Sequence, residues 1–366
     1  GIEASGIGIT VANINGGAVS GRRNLIINGA MQVAQRGTSF TADGNYTLDR
    51  WRVDDAMSAG AATITQSTTS PDGFSNSLKV DVTSADTSVA ANEYSQVYQY
   101  IEAQNLQHLA YGTSAAKTVT ISFYVRSNKT GGYNFAILQS DASSRLVSFQ
   151  YTINSADTWE RKSFVIPGDA SGQIDNDTGI GYSLFWGLAY GGNYTTGGVQ
   201  NSFGAYVAAN FGAGQSVNLF DSTSNEWYIT GVQLEVGSQA TAFEHHSFNE
   251  ELALCQRYYY DHANGSRVAN EYIGTSYAWV SSQLEHVVRF PVPMRSSPSL
   301  VNSTGTNYYQ FRNENQEVYT SDMDIDNATT HTALLYKASL SGATEGRAYR
   351  FQLGNASAYL HFSAEL

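Results

Sequence analysis

The chain alternates apolar and polar residues over much of its length. Residues 117–126 read KTVTISFYVR, so Val119, Ile121, Phe123 and Val125 share one face and Thr118, Thr120, Ser122 and Tyr124 the other. A period of two marks a β-strand with one buried face, because successive side chains leave an extended backbone on opposite sides. Residues 45–54 (NYTLDRWRVD) and 77–83 (SLKVDVT) carry the same pattern, and 94–100, 133–138, 146–153, 159–166, 182–188 and 227–236 supply further strands. Asp72-Gly73, the Lys-Thr-Gly-Gly run at 129–132 and Gly168-Asp169 are the turns between them. About ten short strands with no interleaved helix predict an all-β fold, an antiparallel jelly-roll sandwich over residues 22–246.

The pattern changes at Ser247. Ser247, Phe248, Asn249 and Glu250 have the form of a capping box, and Leu252, Cys255 and Tyr259 follow at i, i+3 and i+7. This predicts a short helix ending before Gly265. Beyond it, 271–280, 285–291, 300–302, 308–311, 331–339, 347–353 and 359–362 read as a second, smaller β domain, 247–366. Residues 1–21 are small, rich in Gly and uncharged apart from Glu3; they read as a stem or linker that orders only against partner chains. No fixed-period repeat supports a solenoid.

Composition narrows the function. A length of 366 residues suits two domains, and 42% hydrophobic residues are enough for a packed core. No apolar run approaches the roughly 18–20 residues of a membrane helix, so no membrane insertion is expected. Lys and Arg number 20 against 32 Asp and Glu, and a net charge of −12 would repel a phosphate backbone; nucleic acid is not an expected partner. The single cysteine, Cys255, excludes a disulfide within the chain. Charged residues make up 14%, below the roughly 25% of ordinary domains, while 24 Tyr and 34 Gly accompany abundant Ser, Thr and Asn. Such a surface suits binding. The absence of a secretory leader and a start at Gly1 predict a fragment of a longer protein or a processed form.

No constellation of catalytic residues emerges, so no enzymatic activity, metal or other cofactor is predicted. His245-His246 are neighbours in an extended segment and point apart. Asp54-Asp55 and Glu250-Glu251 are pairs in sequence only, and Cys255 lies on the apolar side of the predicted helix. Asp322, Asp324 and Asp326 share the opening spacing of a calcium loop, but Asn327 stands where the glycine belongs and no acid closes it, leaving an acidic hairpin tip. The positive signal is aromatic. Residues 181–214 carry Tyr182, Trp186, Tyr190, Tyr194 and Tyr206 among glycines and hold no charge. Exposed rings offer apolar plates to the C–H faces of sugars, and neighbouring amides and hydroxyls pair with sugar hydroxyls. Phe185 and Leu188 fit the core instead. Tyr272, Tyr277, Trp279, Tyr308 and Tyr309 form a second aromatic set in the smaller domain.

Several longer motifs carry a family resemblance. Arg23-Asn24-Leu25-Ile26-Ile27-Asn28-Gly29-Ala30-Met31-Gln32, Gln35-Arg36-Gly37 and Tyr46-Thr47-Leu48-Asp49-Arg50-Trp51 resemble the opening of a jelly-roll domain of bacteriophage tail fibre and tail tip proteins. The closing half is present in the run from Trp227 to Gly237 (WYITGVQLEVG) and in Ala240-Thr241-Ala242-Phe243-Glu244; the smaller domain adds a run from Asn249 to Tyr259, another from Phe290 to Pro298, and Ala364-Glu365-Leu366. The opening is also similar to carbohydrate-binding modules, which often hold a structural calcium. Here Gln32 replaces the expected acid and the segment at 227–231 lacks an Asp, so no calcium ligand is expected. The resemblance implies a virion protein of the tail or fibre, assembled in the host cytoplasm, that is homotrimeric and joined to other virion tail or fibre proteins through its stem. It further implies binding to host cell-surface glycan for adsorption. A polysaccharide depolymerase and a purely structural tail or capsid component are the alternatives.

Overall fold

The computed structural model describes residues 22–41, 44–141, 143–268 and 270–366, with the backbone of Asn13–Ile14 and Gly17–Ala18. Those two pairs are antiparallel strands β1 (Asn13–Ile14) and β2 (Gly17–Ala18). The expected role of residues 1–21 as a trimeric stem otherwise lies outside the described residues. The chain divides into two compact units, Gly1–Phe248 and Asn249–Leu366.

The first unit is a sandwich. Its strands are β3 (Ser39–Thr41), β4 (Arg52–Asp55), β5 (Ala61–Ser67), β6 (Ser77–Ser84), β7 (Tyr94–Glu102), β8 (Val119–Ser127), β9 (Gly131–Gln139), β10 (Arg145–Ile153), β11 (Glu160–Ile166), β12 (Ile180–Tyr190), β13 (Gly204–Ala205) and β14 (Glu226–Val236). They form two antiparallel six-stranded sheets, ordered β13-β10-β9-β12-β7-β4 and β11-β8-β14-β6-β5-β3. The all-β jelly-roll expectation is met. Val119, Ile121, Phe123 and Val125 all face the interior of the sandwich and are fully buried, as the period of two requires. Aromatic rings tie the two sheets together: Trp186 of β12 lies 5.8 Å from Phe123 of β8, and within its own sheet 5.0 Å from Phe135.

Two local departures have clear causes. Residues 45–54 do not form one strand. Tyr46 meets Arg52 in an isolated bridge, the Thr47 N–H donates to the Trp51 carbonyl at 2.8 Å, and Arg50 takes a left-handed φ of 70°. The chain doubles back so that Leu48 and Trp51 are both buried, which a straight strand could not do at that spacing. The strands Ser39–Thr41 and Ala61–Ser67 carry too few apolar residues to stand out in the sequence.

The motif residues form the seam between the chain's opening and its last sandwich strand. The Asn24 amide donates to the Val232 carbonyl at 3.0 Å, and its oxygen accepts from Ile26 and Leu234. Glu244 accepts the backbone N–H groups of Arg23 and Asn24, each at 2.8 Å. Asn28 accepts from Val33 through its side-chain oxygen, and its backbone carbonyl accepts the Trp51 indole N–H at 3.0 Å. A Cβ on Gly29 would stand 2.2 Å from the Val232 carbonyl oxygen, so only glycine fits where the segment crosses β14.

The second unit opens with α3 (Phe248–Gln256), which among the described residues is preceded by two single-turn α-helices, α1 (Gly192–Thr195) and α2 (Ala208–Phe211). α3 starts directly after Ser247 but stops earlier than the sequence pattern suggests. Tyr259 belongs to a strand, and the buried positions are Glu251 and Cys255. The strands are β15 (Tyr259–Asn264), β16 (Tyr272–Val280), β17 (Gln283–Arg289), β18 (Ser299–Asn302), β19 (Tyr309–Arg312), β20 (Glu317–Thr320), β21 (Asp324–Asp326), β22 (Thr332–Lys337), β23 (Ala348–Leu353) and β24 (Tyr359–Ser363). They make a three-stranded sheet, β15-β24-β18, and a seven-stranded sheet, β20-β19-β23-β16-β17-β22-β21. The triple aspartate is not a hairpin tip: Asp324 and Asp326 lie on the edge strand, and the Lys337 ammonium bonds Asp322 at 2.7 Å and Asp324 at 3.1 Å.

Candidate functional site

In the first unit the outer face of the sheet containing β12 is built by β7, whose sequence is YSQVYQYIE. Val97 faces the core, so Gln96, Tyr98 and Tyr100 stand on the other side. The register then sets a row across the sheet. Arg52 of β4 is opposite Tyr98, Tyr98 is opposite Phe185 of β12, and Phe185 is opposite Ala136 of β9. The Arg52 guanidinium lies 5.0 Å from the Tyr98 ring centroid and 5.2 Å from that of Tyr46, a cation between two π faces.

The uncharged segment after β12 folds back over this face. Asn134 donates to the Ala213 carbonyl at 3.0 Å, and the Ser148 hydroxyl donates to the Asn210 carbonyl at 2.9 Å. The result is one continuous network of rings. Tyr100 is 5.1 Å from Tyr98, Tyr98 is 5.4 Å from Phe185, and Phe185 is 5.1 Å from Phe211. Phe211 in turn meets Tyr190, Tyr194 and Tyr206 at 5.7, 6.5 and 6.3 Å, and Tyr194 meets Tyr94 edge-on at 5.7 Å. Tyr98, Phe185, Tyr190 and Phe211 are buried within the network, Tyr94, Tyr100 and Tyr194 are half-buried, and Tyr206 is 40% exposed.

Five residues in the 181–214 segment were expected to form an exposed platform, and the structure separates them. Tyr182 and Trp186 are fully buried between the sheets, so neither is a plate. Tyr190 is also buried: its hydroxyl donates to Gln96 at 2.7 Å and its ring lies against Gly187 and Gly212, where a Cβ would stand 2.3 and 2.6 Å from ring carbons. The glycines there admit the ring rather than bend a loop outward. β12 is central in its sheet and covered on both faces, which leaves no alternate residue exposed. Tyr194 and Tyr206 remain accessible. The residues missed are Tyr94, Tyr98, Tyr100 and Arg52. Tyr98 and Tyr100 repeat at period two with Val97 between them, a signal present in the sequence, whereas the pairing with Arg52 depends on register.

Burial keeps the phenols of Tyr94, Tyr98, Tyr190 and Tyr206 neutral. Burial pushes the Tyr94 hydroxyl up to about 12, helped by the Asp54 carboxylate that accepts from it at 3.2 Å. Burial raises Tyr98, Tyr190 and Tyr206 as well. The face therefore offers apolar rings, hydroxyls able to donate or accept, and one guanidinium. That is chemistry for holding a hydroxyl-rich ligand. Elsewhere His245 packs against Phe74 and Phe243, while His246 pairs with Glu244 at 3.4 Å. Among the described residues no group of three or more His, Cys, Asp or Glu gathers as a metal site, and no helix is long and apolar enough to cross a membrane.

No protein-family model and no curated protein matches the chain. Solved structures do. The enzymatically active domain of tailspike protein 4 from bacteriophage CBA120 is similar at 11% identity and a TM-score of 0.31, over 58% of this chain and 21% of that one. A family 11 carbohydrate-binding module of a Clostridium thermocellum cellulosomal cellulase is similar at 13% identity and a TM-score of 0.29, over 57% of this chain and 98% of the module. A xylan-binding domain from carbohydrate-binding module family 22 is similar at 12% identity and a TM-score of 0.31, over 56% and 98%. At these identities and scores the likeness carries no information on ligand or activity.

Proposed function

We propose that this is a fibre or tail-tip protein of a virion whose sandwich unit binds host-surface glycan without cleaving it. The observation that carries the reading is the ring network on the outer sheet face, with Tyr94, Tyr100, Tyr194 and Tyr206 accessible above a buried aromatic floor. Such rings stack on sugar C–H faces, and the flanking Arg52 and Asp54 suit hydroxyl groups. The virion assignment rests on the motifs shared with phage tail proteins. Three chains joined through residues 1–21 complete the reading, and light scattering at about 40 kDa for the whole chain would contradict it.

A glycan array followed by a host-cell adsorption assay tests the proposal. Tyr100→Ala and Tyr194→Ala should each weaken binding roughly threefold to tenfold, the loss expected for one stacking ring, with folding unchanged. Undiminished binding by both variants overturns the assignment of the face. Shortening of the bound polysaccharide by the intact protein would overturn the non-cleaving part and favour a depolymerase, and absence of any glycan signal would favour a structural component.

A further inference from the structure

The seven-stranded sheet of the second unit carries an open cleft of about 580 Å³ at one end, lined by Asn313, Glu314, Gln316, Thr344, Arg347 and Ala348 among others. Its lining is amide, hydroxyl, one cation and one anion. The register places exposed aromatics beside it. Ala348 of β23 is directly opposite Tyr277 of β16, and the Ala278 backbone bonds both ends of the next turn, donating to the Arg347 carbonyl at 2.9 Å and accepting from Gly346 at 3.0 Å. Tyr277 is 48% exposed and Trp279, two residues along the same strand, is 61% exposed.

We infer that this cleft and its two aromatics form a second saccharide site, specific for a neutral, hydroxyl-rich sugar unit. The polar wall is built in advance of any ligand. The Asn313 side-chain oxygen accepts the N–H groups of Asn315 and Gln316 at 3.0 and 2.9 Å, which fixes the turn. The Gln316 amide donates to the Thr344 hydroxyl at 2.9 Å, and its oxygen accepts from the Tyr349 hydroxyl. The Tyr349 hydroxyl in turn accepts the Thr344 N–H at 2.8 Å. Against this fixed wall the Arg347 side chain has no hydrogen-bond or ion-pair partner among the described residues. A planar fork of donors suits adjacent hydroxyls on one ring, and the Glu314 carboxylate supplies the acceptor. One positive and one negative side chain balance, so the cleft does not select a charged ligand. Trp279 and Tyr277 supply the apolar surface that a sugar's C–H face needs.

The full chain permits a direct test, because Trp51, Trp186 and Trp227 are fully buried and Trp159 is half-buried, leaving Trp279 as the strongly quenchable indole. Acrylamide quenching is followed while dextran, laminarin, galactan or mannan is added. At least one of these neutral polymers should protect Trp279, and Trp279→Ala or Arg347→Ala should weaken binding of that polymer to the second unit roughly threefold to tenfold or more. Tyr100→Ala should leave the protection intact, which separates this site from the sandwich face. Failure of all four polymers to protect Trp279 overturns the inference. So does protection that survives Arg347→Ala unchanged.

Discussion

Trp186 gives the sharpest contrast between a ring that binds and a ring that packs. It is fully buried and lies 5.5, 5.8 and 5.0 Å from Trp51, Phe123 and Phe135. Trp186→Ala removes a whole indole from a core that cannot fully close around the void, a loss of about 3–5 kcal/mol. Domains of this kind are stable by only about 5–15 kcal/mol, so the variant should unfold at much lower urea. Trp186→Phe should behave differently. The indole N–H is buried without a hydrogen-bond partner among the described residues, and deleting such a group recovers about 1–3 kcal/mol. That offsets most of the lost ring area, and stability should stay within about 1 kcal/mol of the parent. The assay is urea unfolding followed by tryptophan emission, which reports mainly the first unit because Trp51, Trp159, Trp186 and Trp227 lie there. An alanine variant that keeps the parental midpoint but loses glycan binding would show that Trp186 is a binding plate and that the packing argument is wrong.

Two further outcomes are expected from pH. In the second unit burial, then the neighbouring His286 ring, pushes His262 down to about 4; Asp261, Arg267 and His361 also act on it, and the Tyr260 hydroxyl lies 3.2 Å from its Nδ1. Above about pH 6.5 both folded and unfolded chains hold the ring neutral; between about 6.5 and 4 only the unfolded chain takes the proton, so this unit should lose about 2–3 kcal/mol on acidification. Urea midpoints across that range check it, and a profile unchanged by His262→Gln would refute it. In the first unit, burial, and beyond it the Asp54, Asp86 and Glu93 carboxylates, raise Asp55 to about 6. The folded state disfavours its charge above that pH and recovers as pH falls toward about 3.8. Asp55→Asn, which keeps an acceptor for the Met57 N–H, should raise the melting temperature near neutral pH and not near pH 4; an equal gain at both would refute the electrostatic cause.

Much of the architecture was legible in the sequence because a strand's period of two survives in any half-buried segment. Val119, Ile121, Phe123 and Val125 announced β8 and its buried face without reference to anything distant. The change of pattern at Ser247 marked the start of α3, and the Asn24, Asn28 and Gly29 motif marked the opening of the sandwich. Tyr98 and Tyr100 were equally readable, since alternation places them opposite Val97. The periodicity of β12 could not say which of its faces meets solvent. That depended on the segment after it folding back, clamped by Asn134 and Ser148, and burying Tyr190 and Phe185 on the side opposite Trp186. The same limit explains the helix that stops before Tyr259: spacing alone fits a helical face, but pairing with β24 supplies that backbone with sheet hydrogen bonds. The approach of Arg52 to Tyr98 and of Ala348 to Tyr277 follows from strand register. Local sequence sets which way a side chain leaves its own strand; only long-range pairing sets what stands beside it.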